Sequence, residues 1–582
     1  MQKSEQCTFT LLIFLVIFVN IKSKYISSAF LLLLSGVVVK VIGALYKIPL
    51  TAYIGAVGRG YFATAYNLYL PVHAVTMGAF PMALSKLVSK YNAIGDDSSV
   101  FALKKASRRL FFFVGVVGMA VMLVLAVPYS RLVASSDGSI PAIVVLAPCV
   151  LFSSLAASYR GYYEGHMNML PTSVSQTLEA LFKMVFGLLF AKQTMAYFYN
   201  EFLTSGTVLN KAVSGENAAF SVIYIYSSAS AMLGVTLGSL FSLCFLAVYR
   251  SFVDRDYRIV PKDSIDNSKR ELLSFSFPIM VSCAVQSVFQ FLDTASVQHS
   301  VSSLSDTVLK NFCAAALEKT TVSDTDLAAY VYGIFSSSLD FKNLIPGITM
   351  ALGVCAVPAV SRAFELGNKE RLGSLIDSVC KYTMLLSLVG GFGLAVFSHD
   401  ILTVFYGNTA PDVADGCAML TALFGLSSFV YCLAGTAVFL VQAVGAPQKS
   451  IAPYIVSGVV RTVLNVILVR DENLVLYGAV ISGAVGYFII MVWNMIIVKK
   501  AAGIKISLSS IFLKPLTVAL LSLLLWQSVN NAVKITALPI YILLIKMAIF
   551  VIIFILLCFL CGLLKIKDIF CVINTQKNSQ TP

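Results

Sequence analysis

Apolar runs of membrane-spanning length recur along the whole chain, separated by short polar links. Their lengths, and the places where charges end them, predict spans at 27–51, 61–88, 108–129, 140–159, 168–192, 218–249, 272–297, 328–361, 379–399, 413–442, 450–469, 475–498, 510–530 and 540–564. That is an all-α polytopic membrane protein of about fourteen transmembrane helices. Pro49, Pro71, Pro81, Pro278, Pro346 and Pro453 interrupt several of them, a pattern common in transporters. The apolar run from Thr8 to Asn20 has signal-peptide length but no small-residue cleavage site after it, so an interfacial or partly inserted helix is expected there. The longest polar links, at 193–217, 250–271 and 298–327, are too short to build a soluble catalytic domain.

The pattern repeats. Ala83-Leu-Ser-Lys86 ends the second span and leads into Gly95-Asp96, as Ala359-Val-Ser-Arg362 ends the eighth and leads into Gly367-Asn368. The approach from Glu164-Gly165 through Pro171 to Lys183 is echoed from Val444-Gly445 through Pro453 to Arg461. With a separation of about 277 residues, spans 1–6 pair with spans 7–12. An even number of spans per half makes the repeat parallel: two pseudo-symmetric six-helix lobes around a cavity, plus two C-terminal helices. The expected divisions are an N-terminal apolar segment (1–25), an N-lobe (26–250), a C-lobe (251–500), spans 13 and 14 (501–566) and a cytoplasmic tail (567–582).

Composition agrees: 58% of residues are hydrophobic and 12% charged, with mean hydropathy +0.86. The net charge of +14 is a matter of topology rather than of nucleic-acid binding. Lys86, Lys104, Arg108, Arg255, Lys269, Arg362, Lys499 and Lys565 fall in alternate links, and the other links hold only a scatter such as Arg59, Arg131 and Lys310. The positive-inside rule then places both termini in the cytoplasm. Most cysteines lie within apolar spans and read as small filler, including Cys558 and Cys561 of a lone CxxC. The histidines make no ligand spacing, and no P-loop, HExxH or GxSxG occurs. No catalytic residue, metal or cofactor is expected.

Within the spans, polar groups share helical faces. Span 5 carries Thr172, Ser175, Gln176, Glu179 and Lys183 at steps of three and four. Span 1 carries Gly36, Lys40, Gly43 and Lys47, and span 7 carries Ser282, Gln286, Gln290 and Asp293. Span 8 offers Ser336, Asp340 and Asn343 with Lys342 nearby, and span 11 Ser457, Arg461 and Asn465. Charges at such depth cost about 3 kcal/mol each on insertion scales, so they normally face a protein interior or a wet cavity. Two structural readings stand beside the cavity: Glu179 and Lys183 as an i,i+4 pair, and Lys47 snorkelling to the interface. The candidate cations outnumber the carboxylates, which suits an anionic substrate and repels a cationic one.

Ser35-Gly-Val-Val-Val-Lys40-Val-Ile-Gly-Ala-Leu-Tyr-Lys47-Ile-Pro, Gly60-Tyr-Phe, Tyr69-Leu-Pro, Phe80-Pro-Met-Ala-Leu-Ser-Lys86 and the Arg160–Lys183 block resemble the stage V sporulation protein B and polysaccharide-biosynthesis group. That group lies within the multidrug/oligosaccharidyl-lipid/polysaccharide exporter superfamily. The resemblance covers residues 25 to about 565 and is more specific in the N-lobe. It implies the two-lobe fold of lipid II flippases and export of an undecaprenyl-diphosphate-linked precursor, most notably lipid II, across the bacterial cytoplasmic membrane by alternating access. In that group cations on the first helix line the cavity, and Lys40 and Lys47 match them. Further basic residues on the second helix are missing here, where Leu70-Pro-Val-His73 stands. The partners it implies are a lipid-linked oligosaccharide, membrane lipids and cell-wall synthesis enzymes, with coupling to the membrane potential or to a monovalent cation. The alternatives are a cation-coupled multidrug antiporter of the same superfamily and an exporter of another lipid-linked polysaccharide unit. A membrane glycosyltransferase would need a large catalytic loop, which the links do not provide.

Overall fold

The computed structural model describes residues 24–253, 265–504, 509–532 and 539–563. The segment at 8–20, part of the link at 250–271 and the tail at 567–582 lie outside the described residues.

The first element, α1 (Lys24–Ala93), covers both of the first two expected spans. It is not one straight rod. Lys47 and Arg59 bond the same carboxylate, Asp340, although twelve residues of straight helix would hold them about 18 Å apart. The rings of Tyr46 and Phe62 likewise lie 6.3 Å apart. The chain reverses at Gly55, the one residue of α1 with non-helical dihedrals (φ 61, ψ −178). A side chain there would be strained and would sit 2.9 Å from the Tyr224 ring. The expected polar link around residues 52–60 is thereby reduced to a single glycine, and Arg59, read from the sequence as an outer-link charge, is a buried helical residue.

The rest of the N-lobe is α2 (Asp97–Pro128), α3 (Ile140–Gly165), α4 (Leu170–Ser205) and α5 (Glu216–Val253). A two-residue hairpin, Thr207–Val208 against Lys211–Ala212, joins α4 to α5. The C-lobe comprises α6 (Ile265–Ser302), α7 (Leu327–Lys342), α8 (Leu344–Glu365), α9 (Lys369–Val396), α10 (Pro411–Ala443), α11 (Ile451–Leu468) and α12 (Leu476–Ala502). Expected span 8 divides into α7 and α8 at Asn343, because Pro346 lacks an N–H and crowds the carbonyl of Lys342 four residues earlier. After α12, α13 (Lys514–Ala532) and α14 (Pro539–Leu560) pack on each other and on α9.

The turn chemistry repeats with the sequence. Gly95 (φ 71) precedes Asp96, whose carboxylate accepts the Ser99 amide at 3.1 Å and caps α2. Gly367 (φ 66) precedes Asn368, whose side chain accepts the Arg371 amide at 3.0 Å and caps α9. Among the described residues, eleven helices are long and apolar enough to cross a membrane. They include α1 as one stretch and omit α6, α7 and α8. Of these, α7 has only 16 residues and is too short to cross alone.

The lobes meet along α1, which packs on α6 and α7, while α6 also lies on α11. At the hairpin end the crossing is close: the Gly60 backbone lies against Ala329 and the Gly333 backbone against Ala56, with no room for a Cβ at either glycine. Tyr61 donates to Asp326 at 2.7 Å and Gln298 to Thr64 at 2.6 Å across the same seam. At the opposite end Tyr91 donates to both Glu271 oxygens at 3.0 and 2.9 Å, and Leu272 is buried against Leu84 and Val88.

Candidate functional site

Three charge clusters occupy the interior, one in each lobe and one between them. In the N-lobe, Arg160 of α3 is buried and reaches Glu179 of α4 at 2.8 Å, Ser175 at 3.0 Å and Ser242 of α5 at 2.8 Å. The i,i+4 pair that spacing allowed between Glu179 and Lys183 is not formed: Glu179 belongs to Arg160. Lys183 instead donates to the Tyr66 hydroxyl at 2.5 Å, its ammonium 4.9 Å from the Tyr66 ring centre and 5.6 Å from that of Tyr46. Gln176, half-buried on the same stripe, has no hydrogen-bond partner among the described residues.

Between the lobes, Asp340 of α7 accepts from Lys47 and from Arg59, the latter at 2.5 Å. Arg59 also lies 3.4 Å from Ser337. Lys47 is thus held by a carboxylate of the other lobe and does not snorkel. Lys40, two turns earlier, is exposed and makes one long contact, 3.4 Å to the Gly347 carbonyl of α8. In the C-lobe, Arg461 of α11 forks onto Asp293 of α6, one arm at 3.1 Å. Asn465, one turn further on, donates to Asp293 at 3.0 Å and to Ser296 at 3.0 Å, and accepts from Ser482 of α12. Lys342 lies within electrostatic range of this pair but is surrounded by rings: its ammonium is 4.0 Å from the centre of Tyr431, 5.0 Å from Phe424 and 5.7 Å from Tyr487. Arg461 also lies over the Tyr487 ring, 4.7 Å from its centre.

Every carboxylate of these clusters is therefore engaged by a cation. Among the described residues Lys40, Lys183 and Lys342 have no carboxylate partner, and hydroxyls, rings or a carbonyl stand around them instead. An ammonium held only by aromatic faces and a phenol keeps its charge available to an incoming anion. The structure adds residues that the stripes did not single out. Arg59 lay in an apparent link, and the signal for it is its setting in Gly58-Arg59-Gly60, two small residues that allow close helix approach. Arg160 heads the same block of sequence as Glu179, but its role as that residue's partner depends on how α3 packs on α4. Tyr66, Tyr431, Tyr487 and Ser482 read as ordinary apolar or small positions in sequence.

Comparison with known proteins places the architecture. A family model described as polysaccharide biosynthesis protein matches residues 25–364. The chain belongs to the polysaccharide biosynthesis protein family. This member of the family is similar to the lipid II flippase MurJ of Bacillus subtilis (strain 168), 23% identical over 83% of this chain and 84% of the relative. It is also similar to the stage V sporulation protein B of the same organism, 21% identical over 84% and 86% of the two chains. Among solved structures, lipid II flippase MurJ in an inward closed conformation superposes with a TM-score of 0.64 over 91% of this chain and 98% of that one, at 12% identity. An inward-facing multidrug resistance MATE family transporter of the MOP superfamily gives 0.56 over 79% and 99%, at 15% identity. The chain thus has the polytopic helical fold that MurJ and MATE transporters share.

Proposed function

We propose that this chain is a flippase for a lipid-linked cell-wall precursor whose headgroup is joined through a diphosphate, lipid II for peptidoglycan before others. The observation that carries the reading is the charge balance. Lys40, Lys47, Arg59, Arg160, Lys183, Lys342 and Arg461 face Glu179, Asp293 and Asp340, and the acids are already paired. The surplus sits on Lys40, Lys183 and Lys342, contributed by both lobes, where a diphosphate bridging the halves would replace contacts with rings and hydroxyls by charge-assisted hydrogen bonds. The same surplus disfavours a cationic drug, which leaves the multidrug antiporter as the weaker alternative. The similarity to proteins named lipid II flippase and stage V sporulation protein B supports a lipid-linked substrate and leaves other polysaccharide units as the second reading.

In this mechanism the headgroup enters between the lobes from the cytoplasmic face, while the lipid tail stays in the bilayer beside α13 and α14. Diphosphate binding to Lys183 and Lys342 draws the lobes together, the seam at the hairpin end parts, and the headgroup leaves on the other face. Outward movement of an anion across an inside-negative membrane is favourable by about 2.3 kcal/mol per charge per 100 mV, so the potential contributes to the drive. The site residues Gln176 and Asn465 would position sugar or peptide groups and the Asp293 carboxylate, respectively. The test is complementation of a strain depleted of its lipid II flippase, with flipping of labelled lipid II by the purified protein in vesicles. Growth and flipping are expected. Failure in both, with rescue of flipping by another undecaprenyl-diphosphate-linked sugar, would move the assignment to the second reading.

A further inference from the structure

A cavity of about 410 Å³ lies at the hairpin end of the molecule, and none of the charged residues of the three clusters lines it. Its walls come from both lobes: the α1 turn at Thr51–Val57 and the start of α5 on one side, the 319–326 segment and the start of α10 on the other. Its volume falls within the roughly 300–1,000 Å³ of small-molecule sites. Its chemistry is the reverse of the inner clusters. Glu216, Asp326 and Asp412 line it, and the one lining ammonium, Lys319, is already bonded to Asp415. Asn217 accepts from Thr321 at 2.6 Å, which turns its amide N–H₂ free as a donor. Phe220 and Tyr224 stack at 5.5 Å and offer a flat apolar edge. Carboxylates, an amide, hydroxyls and an aromatic face in one cleft are the groups that hold a polyhydroxylated ring, and the surplus of acid selects one that carries an ammonium.

We propose that this cleft binds an aminosugar unit on the extracytoplasmic face and thereby holds the two lobes closed at that end. Because the walls belong to both lobes, the cleft in this shape exists only while the seam is closed, and a ligand that binds one state stabilises it by its differential affinity. Sugar accumulating outside would then slow further export. The effect on transport rests on the flippase reading above, but binding itself does not. The ligand has two sources, a flipped headgroup that carries a free amine and free saccharide of the wall with an unacetylated amine, and the amine is the chemistry that the cleft reads.

The experiment uses the full chain in lipid nanodiscs, titrated calorimetrically with the glucosamine disaccharide and with its fully N-acetylated counterpart. The amine form should bind about tenfold tighter. Glu216→Gln, at an exposed position, should bring the two sugars within about threefold of each other, and Ser221→Trp, which fills the cleft from α5, should abolish binding of both. Equal affinity for the two sugars, no saturable binding, or binding that survives Ser221→Trp would each overturn the proposal. In vesicles, the amine disaccharide added at the extracytoplasmic face should slow flipping, whereas the same sugar at the other face should not. Slowing by added disaccharide points to free wall saccharide as a source, and slowing only after flipped precursor accumulates points to the headgroup. Flipping that proceeds without any sugar binding would sink this inference alone. Sugar binding with no flipping of any lipid-linked precursor would sink only the flippase reading.

Discussion

Arg160 and Glu179 illustrate what a single residue can be asked to do here. Arg160 is buried, bonded to two serines and to Glu179, and Glu179 is about a quarter exposed. Removing one partner of such a pair leaves an uncompensated charge inside the lobe, at a cost of roughly 3–5 kcal/mol. Glu179→Gln and Arg160→Met should each lower stability by an amount of that order, and the double variant should recover much of it. A denaturation cycle in detergent measures this, and additive losses would mean that the pair is not coupled. Glu179 and Lys183 share no bond, so their coupling should be smaller than that of the Arg160 pair and limited to charge acting at a distance. Lys183 and Lys342 belong to a different class of residue, cations without an acid to balance. Lys183→Gln keeps a donor for the Tyr66 hydroxyl, so the fold should survive while flipping of a diphosphate lipid falls by at least about tenfold. Lys183→Arg should retain part of it. Full flipping in Lys183→Gln would take that residue out of the substrate path and leave Lys342 and Lys40 to carry the charge.

At the scale of elements, the hairpin within α1 depends on Gly55. Alanine there costs about 1–3 kcal/mol for a positive-φ, extended-ψ conformation that is essentially restricted to glycine, and meets the Tyr224 ring at 2.9 Å as well. Gly55→Ala should therefore lower the melting temperature markedly, whereas Gly36→Ala, with nothing within 4 Å, should not; equal melting of the two would show that the chain turns without help from Gly55. This turn is also where the sequence was hardest to read. Span positions are legible because a bilayer demands about twenty apolar residues whatever the neighbours are. A one-residue reversal leaves no polar link, so the expected link around Arg59 hid a buried helical residue of the lobe interface. The stripes found Asp293, Asp340, Arg461 and Asn465 because residues three and four apart share a face. They could not find partners, since Asp293 and Arg461 lie 168 residues apart and Arg160 and Glu179 sit on different helices. For the same reason spacing suggested Glu179 with Lys183, a pairing that packing overrules. The capping glycines at 95 and 367 were visible as part of the repeat, and the αL turns they make explain why the repeat is clearest there.

For the whole molecule, the two ends of the lobe interface are closed by bonds of unequal strength. At the hairpin end Asp340 holds Lys47 and a fully buried Arg59, beside glycine-to-backbone contacts between α1 and α7. At the other end Glu271, about a third exposed, takes Tyr91 and, at 3.4 Å, an exposed Lys90. Exposed pairs contribute about 0–1 kcal/mol and are screened by salt, whereas a buried pair broken on one side costs several. The end that opens first is then the one closed by Glu271, which the positive-inside rule predicts to be cytoplasmic and where the headgroup would enter under the proposed function. Asp340→Asn should reverse this preference. It removes the carboxylate by which α7 holds both cations of α1, so the attraction across the hairpin end is lost. A reporter cysteine at Ser337, fully buried beside Arg59, in a background without native cysteines, should be protected from a membrane-impermeant thiol reagent in the parent. It should become reactive in Asp340→Asn and stay protected in Glu271→Gln. A shift of about 1.4 kcal/mol changes the populations tenfold, which labelling rates resolve easily. If Ser337→Cys labels no faster in Asp340→Asn than in the parent, the ion pairs of Asp340 do not govern that end, and the glycine crossing of α1 on α7 holds it closed unaided.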